Sequence, residues 1–274
     1  AVINIDDPKG VQLADKLQKQ GQVNVWTYAI QSQQSSNQNS KTIEQHIQAT
    51  HVAYANRGMQ FEIQLGDKVA SLHTTTVGDY NVSNLTGVIA CLCALGQRLD
   101  DAVKACQALP PVPGRMELLG VAGEPLVIVD FAHTPDAIEK ALRAIQPLAA
   151  LRGGDIICVL GCGGNRDKAK RPLMAAVAET YAQQIVLTSD NPRLEDPEAI
   201  LRDMRVGLKA PQSARVVVDR AQAIAEAVQH AQQNDLVLIA GKGHETYQEI
   251  NDVKYPFSDQ LHAQQAIRNR SMHV

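Results

Sequence analysis

Residues 183–208 read QQIVLTSDNPRLEDPEAILRDMRVGL. A short apolar run passes through a polar turn into an amphipathic run, which is how a strand hands over to a helix in an α/β protein. The turn carries more chemistry than a turn requires. Asp190, Asn191 and Arg193 surround Pro192 at the strand end, presenting a carboxylate, an amide and a guanidinium together. A carboxylate can pair an ammonium, and a guanidinium offers a planar fork matched to a carboxylate. The pattern therefore fits a zwitterionic amino acid, each charge met by its opposite. The plainer alternative is an Asx turn or helix cap with a solvated arginine.

The same rhythm runs through the second half of the chain. PLVIVDF (125–131), DIICVLG (155–161), QIVLTSD (184–190), ARVVVD (214–219) and DLVLIAG (235–241) read as short, buried strands. Helical stretches fall between them at 135–149, 168–182, 196–209 and 220–233. This alternation predicts βαβ units and a largely parallel sheet covered on both faces. Ligands of such sheets bind beyond the carboxyl ends of the strands. Those ends are polar or glycine-rich: DFAHTPD, GCGGNRDK, SDNPR, DRA and GKGHE.

The first half reads differently. Residues 1–5 form a strand, Pro8 opens a helix with Val11, Leu13, Ala14 and Leu17 on one stripe, and 23–30 is a second strand. QSQQSSNQNS (31–40) is a solvated loop. Strand-like alternation fills 42–76, and helices follow over 82–95 and 100–109. LPPVPGR (109–115) ends any helix and stiffens the connection, predicting domains at 1–111 and 112–274. Because the chain opens without Met and inside a strand, it is expected to be a piece of a longer protein.

Composition excludes several classes. With 26 basic and 29 acidic residues among 274, a net charge of -3 and no like-charge block, neither nucleic acid nor a membrane surface is an expected partner. Five cysteines without a CxxC pair or zinc spacing predict a reduced cytoplasmic protein with small buried thiols and no metal site.

Two glycine-rich turns add to the picture. GCGGNRDKAKR (161–171) lets backbone approach an anion at a helix start, although its spacing is neither GxGxxG nor GxxxxGK[ST]. GKGHE (241–245) offers glycine backbone, an ammonium, an imidazole and a carboxylate. Each also reads as a tight strand–helix or surface turn. Asn81 and Asn84, at i and i+3 where a helix opens, present amides to a ligand or cap the helix.

Six motifs in order, GDYNVSN, PVPGRME, VDFAHTPDA, GCGGNRDKAKRP, TSDNPR and AGKGHE, resemble those of the Mur ligases of peptidoglycan synthesis, in the form that adds meso-diaminopimelate. The resemblance covers essentially the whole chain. It implies an α/β fold, with a Rossmann-like, mostly parallel C-terminal domain preceded by the last part of an ATPase-type central domain. It implies ATP contacts for Asn81, Asn84, Arg115, Asp130 and His133. It also implies diaminopimelate contacts for Arg166, Asp190, Asn191, Pro192, Arg193, Gly241 and Glu245. SDNPR would then read the end of the amino acid bearing the second carboxylate and ammonium. The implied reaction is ATP-driven peptide-bond formation through an acyl phosphate. Its substrates are ATP, diaminopimelate and a UDP-N-acetylmuramoyl dipeptide, and the enzyme is a cytoplasmic monomer. The family's P-loop, magnesium-binding residues and carbamylated lysine would lie upstream of Ala1, so the chain holds no catalytic residue of its own and is expected to be inactive alone. The rivals are a non-catalytic nucleotide-binding or interaction module and, against the missing GxGxxG, a nicotinamide-dependent oxidoreductase.

Overall fold

The computed structural model describes residues 1–31, 45–55, 57–121 and 123–272. The loop expected over 31–40 falls outside them except for Gln31. The chain divides into two units, Ala1–Pro110 and Pro111–Val274.

In the first unit, β1 (Val2–Asn4), β2 (Trp26–Ile30), β3 (His46–Ala55), β4 (Gly58–Leu65) and β5 (Lys68–Thr74) form one sheet in that order. β1, β2 and β3 run parallel, and β3, β4 and β5 form an antiparallel meander. α1 (Pro8–Gln20) starts where Asp7 accepts from the amide of Lys9 and Pro8 supplies a preset φ. It ends at Gly21, whose φ of 65° is the left-handed cap glycine favours. α2 (Asp79–Ala94) and α3 (Leu99–Gln107) cover the sheet, burying Val82, Ile89 and Val103 against Ile47, Phe61 and Leu72. Two expectations need correcting. Only Ala14 of the α1 stripe is buried, while Val11 and Leu13 stand in solvent. Cys91 is exposed rather than buried, because it sits on the outer side of α2.

The second unit holds a six-stranded sheet in the order β10-β9-β8-β11-β7-β6. Its strands are β6 (Glu117–Leu119), β7 (Leu126–Asp130), β8 (Ile156–Leu160), β9 (Gln184–Leu187), β10 (Arg215–Val216) and β11 (Leu236–Ala240). All pairings are parallel except β6 with β7. The helices are α4 (Pro135–Arg152), α5 (Lys170–Tyr181), α6 (Pro197–Arg205), α7 (Arg220–His230) and α8 (Asp259–Ser271). Side-chain caps from Thr134, Asp196, Asp219 and Ser258 set four of their starts. Every residue of β7, β8 and β11 is buried, which explains their unbroken apolar sequences.

The edge differs from expectation. ARVVVD gives only the two exposed residues of β10, since an edge strand has one neighbour and its valines meet little cover. α6 and α7 also stop short of the expected 209 and 233. A hairpin of β12 (Tyr247–Ile250) and β13 (Val253–Pro256), together with α8, lies in sequence from which no element was read.

One buried ion pair joins the last helix to the strand ends. Arg220, at the start of α7, donates through Nε and Nη2 to the carboxylate of Asp259 at 2.7 and 2.8 Å. The same guanidinium donates to the carbonyl oxygens of Ala240 and Ser189. Both side chains are fully enclosed. Burial disfavours the guanidinium charge, but the field and hydrogen bonds of Asp259 outweigh it and raise the Arg220 pKa. Asp259→Ala would strand a buried cation, so a loss of about 3–5 kcal/mol is expected in urea unfolding. A loss below about 1 kcal/mol would place the pair among exposed ones that contribute little.

Candidate functional site

Beyond the carboxyl ends of β7, β8, β9 and β11 lies a cavity of about 420 Å³. It gathers His133, Arg166, Asp190, Asn191, Arg193, Gly241 and Glu245, with Phe131, Thr134, Gly163, Lys170 and Arg171 among the other lining residues. Pro192 does not line it. Its carbonyl instead accepts from Glu195, and a side chain at Gly164 would run into that carbonyl.

A single ammonium organises the floor. Lys242 is wholly buried, and its Nζ donates to Asn191 Oδ1 at 2.8 Å and to Glu245 Oε2 at 3.0 Å. Asp190 lies 4.0 Å away. Asn191 Nδ2 donates to the same Glu245 oxygen at 2.8 Å, and Asn191 Oδ1 also accepts from the amide of Glu249. Burial pushes the Glu245 carboxyl up. The hydrogen bonds and positive charge of Lys242, with help from Asn191 and Arg193, outweigh that and leave it below its ordinary value. Gly241 has a φ of 124°, and a Cβ there would stand 2.5 Å from Asp190 Oδ2. Glycine is required at this position both by the backbone and by the neighbouring carboxylate.

Arg193 faces the acidic floor. Its backbone is left-handed, with a φ of 52°. The strain is held from β12: the Arg193 amide donates to the Glu249 carbonyl at 3.0 Å, and the Asn251 amide donates to the Arg193 carbonyl at 2.8 Å. Arg193 Nη1 donates to the Gly164 carbonyl at 2.9 Å, and Nε lies 3.1 Å from Glu249 Oε2.

The GCGGNRDKAKR turn is held by ionic contacts. Arg171 is almost fully buried and donates to both oxygens of Glu195 and to Asp203. Glu195 also accepts from the Asn165 amide. Those hydrogen bonds, Arg171's first, hold the Glu195 carboxyl at a pKa of about 2. Arg166 remains largely exposed at the rim. Cys162 lines the cavity, but burial, with the Asp190 charge adding to it, pushes its thiol up to about 12. At neutral pH it is a protonated, inert group.

The residues linked with ATP fall in both units. Asn81 and Asn84 lie in the first. Asn81 turns its amide back to the Val77 carbonyl at 2.8 Å, whereas Asn84 is exposed beside an apolar hollow lined by Tyr28, Gly87, Val88 and Cys91. Arg115, Asp130 and His133 lie in the second. The Arg115 guanidinium sits 4.8 Å above the Phe131 ring, against which His133 packs edge-on at 4.7 Å. Asp130 is buried, and its oxygens accept from the amides of Met116 and Ala132. Burial raises its pKa against the lowering effect of those bonds.

Residues 1–92 match the model of the Mur ligase middle domain, and residues 114–243 match that of the Mur ligase glutamate ligase domain. The chain belongs to the Mur ligase family. Its relatives include the UDP-N-acetylmuramoyl-L-alanyl-D-glutamate–2,6-diaminopimelate ligases of Acidovorax sp. (strain JS42), 48% identical over 98% of this chain, and of Janthinobacterium sp. (strain Marseille), 44% identical over 99%. A solved ligase of the same name superposes with a TM-score of 0.72 at 34% identity, covering 100% of this chain and 53% of that one. At 16% identity, UDP-N-acetylmuramate-alanine ligase from Thermotoga maritima shares the fold, with a TM-score of 0.61 over 91% of this chain and 48% of that one. The chain spans about half the length of the curated relatives it matches, 52% and 53% for those two.

Sequence reasoning overlooked several residues of this candidate site. Lys242 was in view within GKGHE, but its complete burial was not. Glu195 and Arg171 sit inside quoted motifs without an obvious partner. Glu249 gave no signal, because only the fold brings it to Arg193. The Glu195 contacts carry a pH signature. A carboxyl whose folded pKa is depressed contributes stability that is present above its ordinary value of 4.5 and is lost as pH falls towards about 2. Urea unfolding followed over that range should show this loss in the native protein and a flatter acid limb in Glu195→Gln. Identical acid limbs would mean that Glu195 does not hold the turn.

Proposed function

We propose that this chain is the part of an ATP-dependent ligase that holds meso-2,6-diaminopimelate and contacts the nucleotide. The ligase joins that amino acid to the terminal D-glutamate carboxylate of UDP-N-acetylmuramoyl-L-alanyl-D-glutamate in cytoplasmic peptidoglycan precursor synthesis. The observation carrying this reading is the meeting of one guanidinium, Arg193, with two carboxylates, Asp190 and Glu245, around one cavity. That arrangement complements the distal end of diaminopimelate, which bears a carboxylate and an ammonium. The two curated relatives and the solved structure at 34% identity, all named as diaminopimelate ligases, support the same substrate.

In this reaction ATP gives its terminal phosphoryl group to the glutamate carboxylate, forming an acyl phosphate. The free amine of diaminopimelate attacks the carbonyl carbon, inorganic phosphate leaves, the nitrogen releases its proton, and a peptide bond remains. The chain contributes position rather than bond chemistry. Gripping the distal end fixes where the other amine points, converting an encounter into an aligned approach. On the nucleotide side, Asn84 and Arg115 supply an amide and a cation. Asp130 acts by fastening the backbone that follows Arg115.

Magnesium would neutralise phosphate charge in such a transfer. Among the described residues no group of three or more His, Cys, Asp or Glu side chains could hold a metal ion. Spanning about half the length of its curated relatives, the chain alone is proposed to be inactive. Among the described residues no helix is long and apolar enough to cross a membrane. The ligase is proposed to act on small molecules as a monomer.

Arg193 tests the reading. Lysine lacks the distal carboxylate and would leave the guanidinium without its partner, a penalty that can reach roughly 10⁴-fold in kcat/KM. In the full-length protein, Arg193→Ala should cut diaminopimelate use sharply and lysine use far less. Arg193→Lys should rescue only in part, since an ammonium does not make the bidentate pair. Equal losses for both amino acids would mean that Arg193 serves the fold or the shared end of the substrate.

A further inference from the structure

Arg193 needs its own support. A left-handed arginine on a loop has a long side chain with many rotamers, and a guanidinium that samples them reads a carboxylate poorly. Two groups fix it here. Gly164 receives one Nη1 hydrogen, and Glu249 places a carboxylate oxygen 3.1 Å from Nε. Both ionic side chains are about four-fifths enclosed, at 19% and 21% exposure, so their attraction is only partly screened by water.

The strand bearing Glu249 is tied to the loop at every step. Gln248 Nε2 donates to the Asp190 carbonyl at 2.7 Å, the Glu249 amide to Asn191 Oδ1 at 3.0 Å, and the Arg193 amide to the Glu249 carbonyl at 3.0 Å. The Glu249 carboxylate therefore has little freedom relative to Arg193. It occupies the Nε side of the guanidinium. Among the described residues, Nη2 donates to nothing. Nη2, with the Nη1 hydrogen that Gly164 does not take, is left to grip a second carboxylate.

We infer that Glu249 is a positioning residue that sets the substrate specificity of this site: it holds Arg193 by the Nε side so that the Nη edge meets the distal carboxylate of a diamino diacid. The inference rests on the diaminopimelate reading of Arg193 and extends it to a residue outside the loop motifs. Glu249 does not touch the substrate. Its influence passes through Arg193, so its loss should appear only with amino acids carrying the distal carboxylate.

The test uses the full-length protein with Glu249→Ala, Glu249→Gln, Arg193→Ala and the double variant, assayed with diaminopimelate and lysine. Loss of orientation alone can cost up to about 100-fold, so Glu249→Ala should raise KM for diaminopimelate by roughly 10-fold to 100-fold. KM for ATP and the rate with lysine should move by less than about 2-fold, because neither requires an oriented Arg193. Glu249→Gln, which keeps the shape and one oxygen near Nε, should recover most of the loss. In the Arg193→Ala background, Glu249→Ala should add nothing, since coupled residues lose additivity.

A Glu249→Ala protein with unchanged or improved diaminopimelate KM overturns the inference. So does equal damage to lysine and diaminopimelate, or a full additional loss in the double variant. Misfolding of Glu249→Ala would be seen as a fall in ATP affinity, and Glu249→Gln then decides: a KM for diaminopimelate close to the native value supports the inference, and a KM raised as far as Arg193→Ala raises it overturns it. If the native protein prefers lysine, or Arg193→Ala leaves diaminopimelate use intact, it is the substrate reading that fails.

Discussion

The fully enclosed Arg220 guanidinium is the constraint on which the second unit depends. It neutralises Asp259 at the start of α8 and donates to the carbonyl oxygens of Ala240, which ends β11, and of Ser189, two residues past the end of β9. Those carbonyls immediately precede Asp190 and Gly241. A parallel sheet leaves such end groups without ladder partners, and a burial that orphaned them would be costly. The same cation thus closes the core and fixes the departure of two loops that meet at the cavity.

The cavity is charged in layers. Below lies Lys242, enclosed and shared between Asn191 and Glu245. Above it stand Asp190 and Glu245, and beside them Arg193 with Glu249. Each charge faces an opposite one, so none is stranded in a poorly solvated region. The chemical result is a Glu245 carboxyl held below its ordinary pKa beside Asp190, and a guanidinium whose Nη2 is left over. A ligand with one positive and one negative group at a short separation fits that balance without altering the net charge of the site.

Much of this was legible in the sequence. Strands β7, β8, β9 and β11 announce themselves as apolar runs because both faces of a parallel sheet are covered, and their polar ends mark the cavity. The misses have physical causes. Three valines in ARVVVD suggest a core strand, but an edge position leaves β10 short and exposed. The β12–β13 hairpin is half or fully exposed, so it lacks a clear alternation; Asn251 and Asp252, both with positive φ, were its one local sign. α8 buries only Asp259, Ala263, Ala266 and Ile267, and small residues in a polar helix leave a faint stripe. Lys242 and Glu249 depend on contacts between distant segments, to which local pattern is blind.

The thiols divide unevenly between the inside and the outside of the fold. Cys93, Cys106, Cys158 and Cys162 are buried, and burial raises the pKa of each. Cys91 alone stands exposed, beside Asn84 on the open hollow of α2. The chain thereby carries one exposed thiol to which a reporter dye can be attached, next to the amide proposed to meet the nucleotide.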